Sequence, residues 1–467
     1  MLYRLKQEIK QHPFLYRTAC LIYNFLHPLC VGSFIWLRRQ AYLPFYKDSR
    51  DMSMKTFMHY IDFFYQKGDR EFHVGHYNNA IADWSESHKY QQLVRARLPE
   101  FADEMVLLGS FWSNSIGHTS LIEFPVKAVK LGLIPKKIIR LYQNSPDRLA
   151  NGYLLKCFEP MIEILPHTAI QDQRHEVKLN LAQQRINVLP YTDQLKFLYH
   201  FCYDVEQRWR ESGNSNHLLT FPVADYVSAV TQLATLGLEA DQPFVVLHVR
   251  SPNYKKDNPN SVRNVPLNEY ADAIEFLFGE DVQVVFLGDR GVEVPLKLKG
   301  KLIDYSDSDI RSSMLDVFLC AHCLFFMGTS SGITHVPRLF GRPRLWTNLS
   351  PFLSLPWFAE DMWIPKLMWD EHRKCHLNLL EMMQTPQVLL ETHDLLRRHH
   401  LSIENNCAED LLAATRDMLA FVRDNVPMPL PKKIQKALHE HHMPTDAVIA
   451  PSFLKKYHRI FDVIIEV

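Results

Sequence analysis

Four short clusters in the chain hold residue types that bind anions or move protons. The first is His248-Val249-Arg250-Ser251-Pro252-Asn253-Tyr254-Lys255-Lys256-Asp257, closed by Arg263-Asn264. An arginine leaving a hydrophobic run into a basic, Asn-rich loop suits a diphosphate, because a guanidinium grips phosphate oxygens in a two-pronged fashion. The plainer alternative is that Arg250 pairs with an aspartate of its own loop. The second cluster is Gly288-Asp289, where the carboxylate either accepts from a ribose or base or caps the next turn. The third is Gly328-Thr329-Ser330-Ser331-Gly332. A helix cap explains one hydroxyl, but not three beside two glycines, whereas hydroxyls and N–H groups at a helix start are neutral donors for an anion. Asp316 precedes it among Leu315, Val317 and Phe318. A carboxylate there is costly unless paired, and Arg250 is the expected partner. The fourth cluster, Asn114-Ser115-Ile116-Gly117-His118, offers an imidazole suited to general base catalysis. The same ring could instead donate to a phosphate or cap the following helix.

These clusters need rigid elements behind them. Met105–Gly109 is an apolar run followed by the polar loop Ser110–Thr119, a helical pattern to Leu131, and a second run at Lys137–Tyr142. That is a βαβ unit, whose handedness implies a parallel sheet. A further short strand is expected at Ile186–Pro190 and helices at 193–210 and 224–236. A second alternating series follows, with strands at Phe244–Val249, Val282–Leu287, Cys323–Met327 and Arg344–Thr347. Helices fall between them at 267–277, 314–321 and 333–340. The Arg250, Asp289 and Gly328–Gly332 clusters all fall at carboxyl ends of these strands, where open α/β sheets bind ligands. The stretch 351–400 is broken by Pro and His and resists assignment. A helix at 408–423 and a Pro-rich join lead to a polar tail. The organisation expected is a helical region 1–100, an α/β domain 101–238, a second at 239–425 and the tail 426–467. The fold class is α/β: two Rossmann-like doubly wound sheets facing a cleft.

Composition bounds the function. Lys plus Arg and Asp plus Glu are each 52 in 467 residues, which argues against a chain built to coat nucleic acid. The eight cysteines are scattered, most of them inside apolar segments, pointing to a reducing compartment and a cytoplasmic location rather than a disulfide framework. Cys320-x-x-Cys323 has no second pair to complete a zinc site and reads as packing. Asp307-Ser308-Asp309 has D-x-D spacing but lies in a loop, and is read as a turn or helix cap. His372 and His376, four apart, lack a third ligand, so no metal or other cofactor is expected. No charge occurs from Thr18 to Leu37, although Asn24, His27 and Pro28 interrupt the run. The readings are a buried helix pair, an interfacial anchor giving peripheral membrane contact through residues 14–40, or a span. Gly75–Trp84 resembles one tetratricopeptide-type hairpin, where arrays need about three.

HVR at 248–250, RN at 263–264, GD at 288–289, IDYSDS at 303–308, MLDVFLCAHCLFFMGTSSG at 314–332 and LFGRP at 339–343 together carry a resemblance. Over about 240–350 the chain resembles a family of uncharacterised bacterial glycosyltransferases associated with surface polysaccharides. More distantly it is similar to GT-B enzymes of the α-1,6-fucosyltransferase type. The resemblance implies a GT-B-like fold, with a nucleotide-sugar donor on the C-terminal sheet and a glycan or lipid-linked acceptor on the other. It makes Arg250 the stabiliser of the departing diphosphate, Asp316 a positioning group, and Ser330 and Ser331 phosphate or sugar contacts. Donor-side partners would come from His248, Lys255, Lys256, Arg263, Asn264, Asp289, Gly328, Thr329 and Gly332. Asn114, Gly117 and His118 would form the acceptor-side loop. Ser251 stands where the fucosyltransferase pattern has a second basic residue, so the donor sugar does not carry over. Two other readings compete: a sugar-nucleotide epimerase on the same scaffold, and a non-catalytic helical-repeat interaction protein.

Overall fold

The computed structural model describes residues 54–73, parts of 79–93, 105–166 other than 109, 134–137 and 144, and 198–465 other than 216, 240, 254–259, 353–354, 385–386, 388–389, 425–429 and 441–442. The uncharged run 18–37, the opening 75–78 of the hairpin-like segment, the strand expected at Ile186–Pro190, and Lys255 and Lys256 lie outside the described residues. Among the described residues, no helix is long and apolar enough to cross a membrane. The chain divides into two compact units, Met1–Tyr60 and Ile61–Val467.

Helix α1 (Met54–His73) is followed by a first parallel sheet, β1 (Met105–Leu108), β2 (Ile138–Tyr142) and β3 (Glu163–Leu165), in simple succession. Between these strands lie α2 (Ile116–Ser120), α3 (Glu123–Lys130) and α4 (Gly152–Phe158). Helices α5 (Leu198–Glu211) and α6 (Val223–Ala234) lead to a larger sheet. It starts with β4 (Phe244–His248), α7 (Ala271–Gly279), β5 (Gln283–Phe286), β6 (Ile303–Asp304), α8 (Ser313–His322), β7 (Phe326–Gly328), α9 (Val336–Leu339), β8 (Arg344–Leu349) and β9 (Met362–Pro365). A small antiparallel sheet comes next, made of β10 (Leu367–Asp370), β11 (Cys375–His376) and β12 (Leu401–Glu404), with α10 (Leu379–Met383) and α11 (His393–Arg398) inserted. The chain ends with α12 (Ala408–Asp424), α13 (Lys432–Glu440), β13 (Val448–Ile449), α14 (Pro451–Lys456) and α15 (His458–Ile465).

The large sheet has seven strands in the order β13-β9-β8-β7-β4-β5-β6, all parallel. Counting β4 as its first strand, the first six run 3-2-1-4-5-6, the doubly wound order whose direction of winding reverses between strands 1 and 4. Here that reversal lies between β4 and β7. All five residues of Phe244–His248 are buried, as a parallel strand covered on both faces requires. Val245 and Leu247 face one apolar cluster with Ile274, Phe286 and Met418. Phe244 and Val246 face a second, which runs without a break to Ile139 and Leu141 of the first sheet. The two sheets therefore share a core, in a mixed α/β fold built on one large parallel sheet.

Three features differ from the sequence expectations. The helix expected at 333–340 is a short 3-10 turn, Ile333–His335, followed by only four α-helical residues. Pro337 lacks the N–H a longer helix would use, and Gly341 at φ +73° ends it. The polar tail is not a tail: Leu430, Ile434, Leu438, Phe453 and Phe461 are buried, and Val448–Ile449 supply the seventh strand. His372 and His376 sit on the β10–β11 hairpin rather than on one helix face, with His376 Nε2 3.1 Å from Glu404. Cys320 and Cys323 are buried, and burial pushes the Cys323 thiol up to about 12.

Candidate functional site

At the β4–β7 reversal, two strand ends approach closely. A Cβ on Gly328 would stand 2.1 Å from the His248 carbonyl oxygen, so a side chain there would push the strands apart. The Thr329 amide donates to that carbonyl at 3.1 Å, and the Thr329 hydroxyl accepts from the Arg250 amide at 3.0 Å. The expected first and third clusters are thus locked together through backbone and hydroxyl. Val265 N donates to the Arg250 carbonyl at 3.0 Å, which folds the far end of the Arg250 loop back over its start.

Two polar side-chain atoms at this edge are buried without a hydrogen-bond partner among the described residues: Ser330 Oγ and His248 Nε2. His248 Nδ1 lies 2.5 Å from the Leu287 carbonyl, which can only accept, so Nδ1 carries the hydrogen and Nε2 its lone pair. Burial lowers the pKa of this imidazole and favours that neutral form. Orphaned buried groups of this kind are rare in folded proteins and are usually met by water or a ligand.

The first sheet contributes the opposite wall. A Cβ on Gly117 would lie 2.9 Å from the Gly332 Cα, and one on Gly332 would lie 2.9 Å from the Gly117 amide nitrogen. Backbone meets backbone here because neither position has a side chain. The contact carries His118 to the edge of the Gly328–Gly332 turn. Its Nδ1 lies 3.3 Å from Asn114 Oδ1, so two of the three acceptor-side candidates are in contact. His335 stands behind, its ring 5.2 Å from that of Trp346, and burial pushes its pKa down to about 3.

The remaining candidates divide. Asp289 Oδ2 accepts from the Ser251 amide at 3.2 Å and hydroxyl at 2.7 Å, so it braces the Arg250 loop. Arg263 pairs with Glu391 at 3.2 Å, and the Asn264 carbonyl accepts from Lys366. Asp316 does not pair with Arg250. Its neighbour is Arg311 at 3.9 Å, because α8 turns its first-turn carboxylate toward the 303–311 loop and away from the β4 end. Burial raises the pKa of Asp316, and Arg311 opposes that rise. Asp307 and Asp309 are exposed in a turn. Among the described residues, one group of three metal-type ligands lies close together, Cys407, Glu409 and Asp410, and the Lys456 ammonium fills it at 2.7 and 2.8 Å from the two carboxylates.

One residue at this edge was not singled out from the sequence. Lys366, the residue after β9, is fully buried, with its Nζ 2.7 Å from Asn405 Oδ1 and 3.4 Å from the Asn264 carbonyl. Burial pushes it down to about 7. The Pro365-Lys366-Leu367 context carried no signal, since nothing in it marks a strand end.

No protein-family model matches the chain, and no curated protein is significantly similar to it. Solved structures resemble it at low identity. A family 9 glycosyl transferase from Veillonella parvula DSM 2008 has 14% identity and a TM-score of 0.28, covering 64% of this chain and 79% of that one. The E. coli heptosyltransferase WaaC, crystallised with ADP-2-deoxy-2-fluoro heptose, has 10% identity and a TM-score of 0.31, covering 56% and 92%. The iron-containing dodecameric glycosyltransferase TibC from enterotoxigenic E. coli H10407 has 12% identity and a TM-score of 0.33, covering 69% and 76%.

Proposed function

We propose that the protein is a glycosyltransferase that moves a sugar from a nucleoside-diphosphate sugar to a hydroxyl acceptor. The observation that carries this reading is the β4–β7 reversal itself. Ser330 Oγ and His248 Nε2 are buried there without partners among the described residues, Arg250 opens the adjoining loop, and His118 arrives from the other sheet through the Gly117–Gly332 contact. Ligands bind such sheets at this position because diverging loops leave a crevice.

In the reaction, the bond from the sugar's anomeric carbon to the diphosphate oxygen breaks and its electron pair stays with the diphosphate. The acceptor oxygen bonds to that carbon, and its proton passes to the His118 imidazole. Arg250 stabilises the charge that grows on the leaving group, which is where preorganised electrostatics contribute most. The Ser330 and Ser331 hydroxyls orient phosphate or sugar oxygens. The short 3-10 turn after Gly332 gives little macrodipole, so side-chain and backbone donors carry this task rather than a helix end.

A thermal-shift panel of GDP-, UDP-, CMP- and dTDP-sugars tests the reading, since a ligand that binds only the folded state raises its melting temperature. At least one member should give a saturable rise that Arg250→Ala removes. No rise with any member overturns the assignment and favours the non-catalytic interaction protein.

A further inference from the structure

Lys366 raises a separate question. Its two partners, Asn405 Oδ1 and the Asn264 carbonyl, are neutral oxygens, and among the described residues no carboxylate lies within ion-pair distance of its ammonium. A buried lysine ordinarily sits beside a carboxylate or pays in stability. Lys366 is held instead beneath the return arm of the Arg250 loop. That arm is tied down on its far side as well: Val262 N donates to the Glu391 carbonyl at 3.1 Å, and His393 N donates to the Asn260 carbonyl at 3.0 Å. The arm then reaches Arg250 through the Val265 amide. The charged groups around it are His393 on α11, with Asp394 and Arg397 on the same helix, and the Arg263–Glu391 pair across the loop.

We propose that Lys366 is a positioning residue for Arg250, its ammonium clamping the Asn264 carbonyl against Asn405 and so fixing the loop segment that hydrogen-bonds the arginine. The clamp rests on the assignment of Arg250 to the donor diphosphate. Its charge adds a dependence that a purely structural lysine would not have. The ammonium is present below about pH 7 and loses its proton above it, so the clamp weakens as pH rises through neutrality.

The test uses the full chain and the nucleotide sugar that gives the largest shift in the panel above. Release of nucleoside diphosphate is followed from about pH 5.5 to 9, a range chosen to bracket the lysine's titration. In the wild type, kcat/KM for the donor should fall above about pH 7. Lys366→Met should raise the donor KM by about 10- to 100-fold, the worth of a hydrogen bond to a charged group, change kcat much less, and lose that alkaline limb. Lys366→Arg keeps the charge across the range, so it should restore a low KM and abolish the limb. A Lys366→Met enzyme with wild-type KM and an unchanged limb overturns the clamp. If that variant does not fold, Lys366→Arg decides: retention of the wild-type limb overturns the clamp equally. Arg250→Ala with wild-type turnover would instead overturn the donor reading on which the clamp rests.

Discussion

At the residue scale the proposed transfer gives Ser330 and His118 different tasks, and each makes its own prediction. Ser330 Oγ is buried with no hydrogen-bond partner among the described residues, so Ser330→Ala removes a desolvated polar group. The melting temperature without ligand should hold or rise, while donor affinity falls about tenfold, the lower end of what one hydrogen bond to a charged group is worth. Melting curves with and without the nucleotide sugar check both halves at once. His118→Ala should lower kcat by about 10²- to 10⁴-fold, the range for loss of a general base, and leave the donor-induced melting shift in place. If kcat is unmoved, the imidazole is not the base. His335 should add no limb to the pH profile above about pH 4, since burial holds it uncharged from about 3 upward. The residues of this site were legible where chemistry and turn signals coincide, as in Gly328-Thr329-Ser330-Ser331-Gly332. Lys366 was not, because its significance lies in what it lacks nearby, and only the folded chain shows that.

At the scale of elements, the meeting of α2 with the Gly328–Gly332 turn is the decisive contact. A methyl group at residue 117 would sit 2.9 Å from the Gly332 Cα, closer than carbon atoms approach without repulsion. Gly117→Ala should therefore displace the His118 loop, lowering kcat far more than it weakens donor binding, since Arg250 and Ser330 are on the other sheet. Equal loss of both, measured by turnover and by melting shift, would contradict this division of the site. Most of the strands between Met105 and Leu349 were readable because buried parallel strands are continuous apolar runs, such as Val245-Val246-Leu247; β3 and β6, three and two residues long, were not. Beyond Leu349 the signal fades for a physical reason. Strand β9 is Met-Trp-Ile-Pro and β13 only Val-Ile, too short for any period to register, and each is specified by its neighbour in the sheet. The Asp316 pairing failed similarly: sequence placed a carboxylate among apolar residues but could not say which way its helix would turn.

At the largest scale, within Ile61–Val467, the elements around the two sheets are joined by charge, most of it buried. Glu123 and Lys127 on α3 contact Arg338 from the second half and Glu206 on α5, and Arg210 links Glu206 to Glu360. Arg344 pairs with Asp361 nearby. These four carboxylates and four cations sum to no net charge, in keeping with 52 of each sign in the chain. The balance was visible in composition, the pairing was not: Arg338 and Glu123 are 215 residues apart. Lys127→Met leaves Glu123 and Glu206 short of a buried cation, and should cost about 3–5 kcal/mol of stability in a urea titration. A loss below about 1 kcal/mol, the range of exposed pairs, would mean the network is not dry. The central claim is that this joined body transfers sugar from a nucleoside diphosphate held at the β4–β7 reversal. Release of nucleoside diphosphate by the wild type and by Arg250→Ala, with folding of both followed by circular dichroism, tests it most directly. Release by the wild type and none by a folded Arg250→Ala is the expected result; equal turnover by the two would contradict donor binding at Arg250.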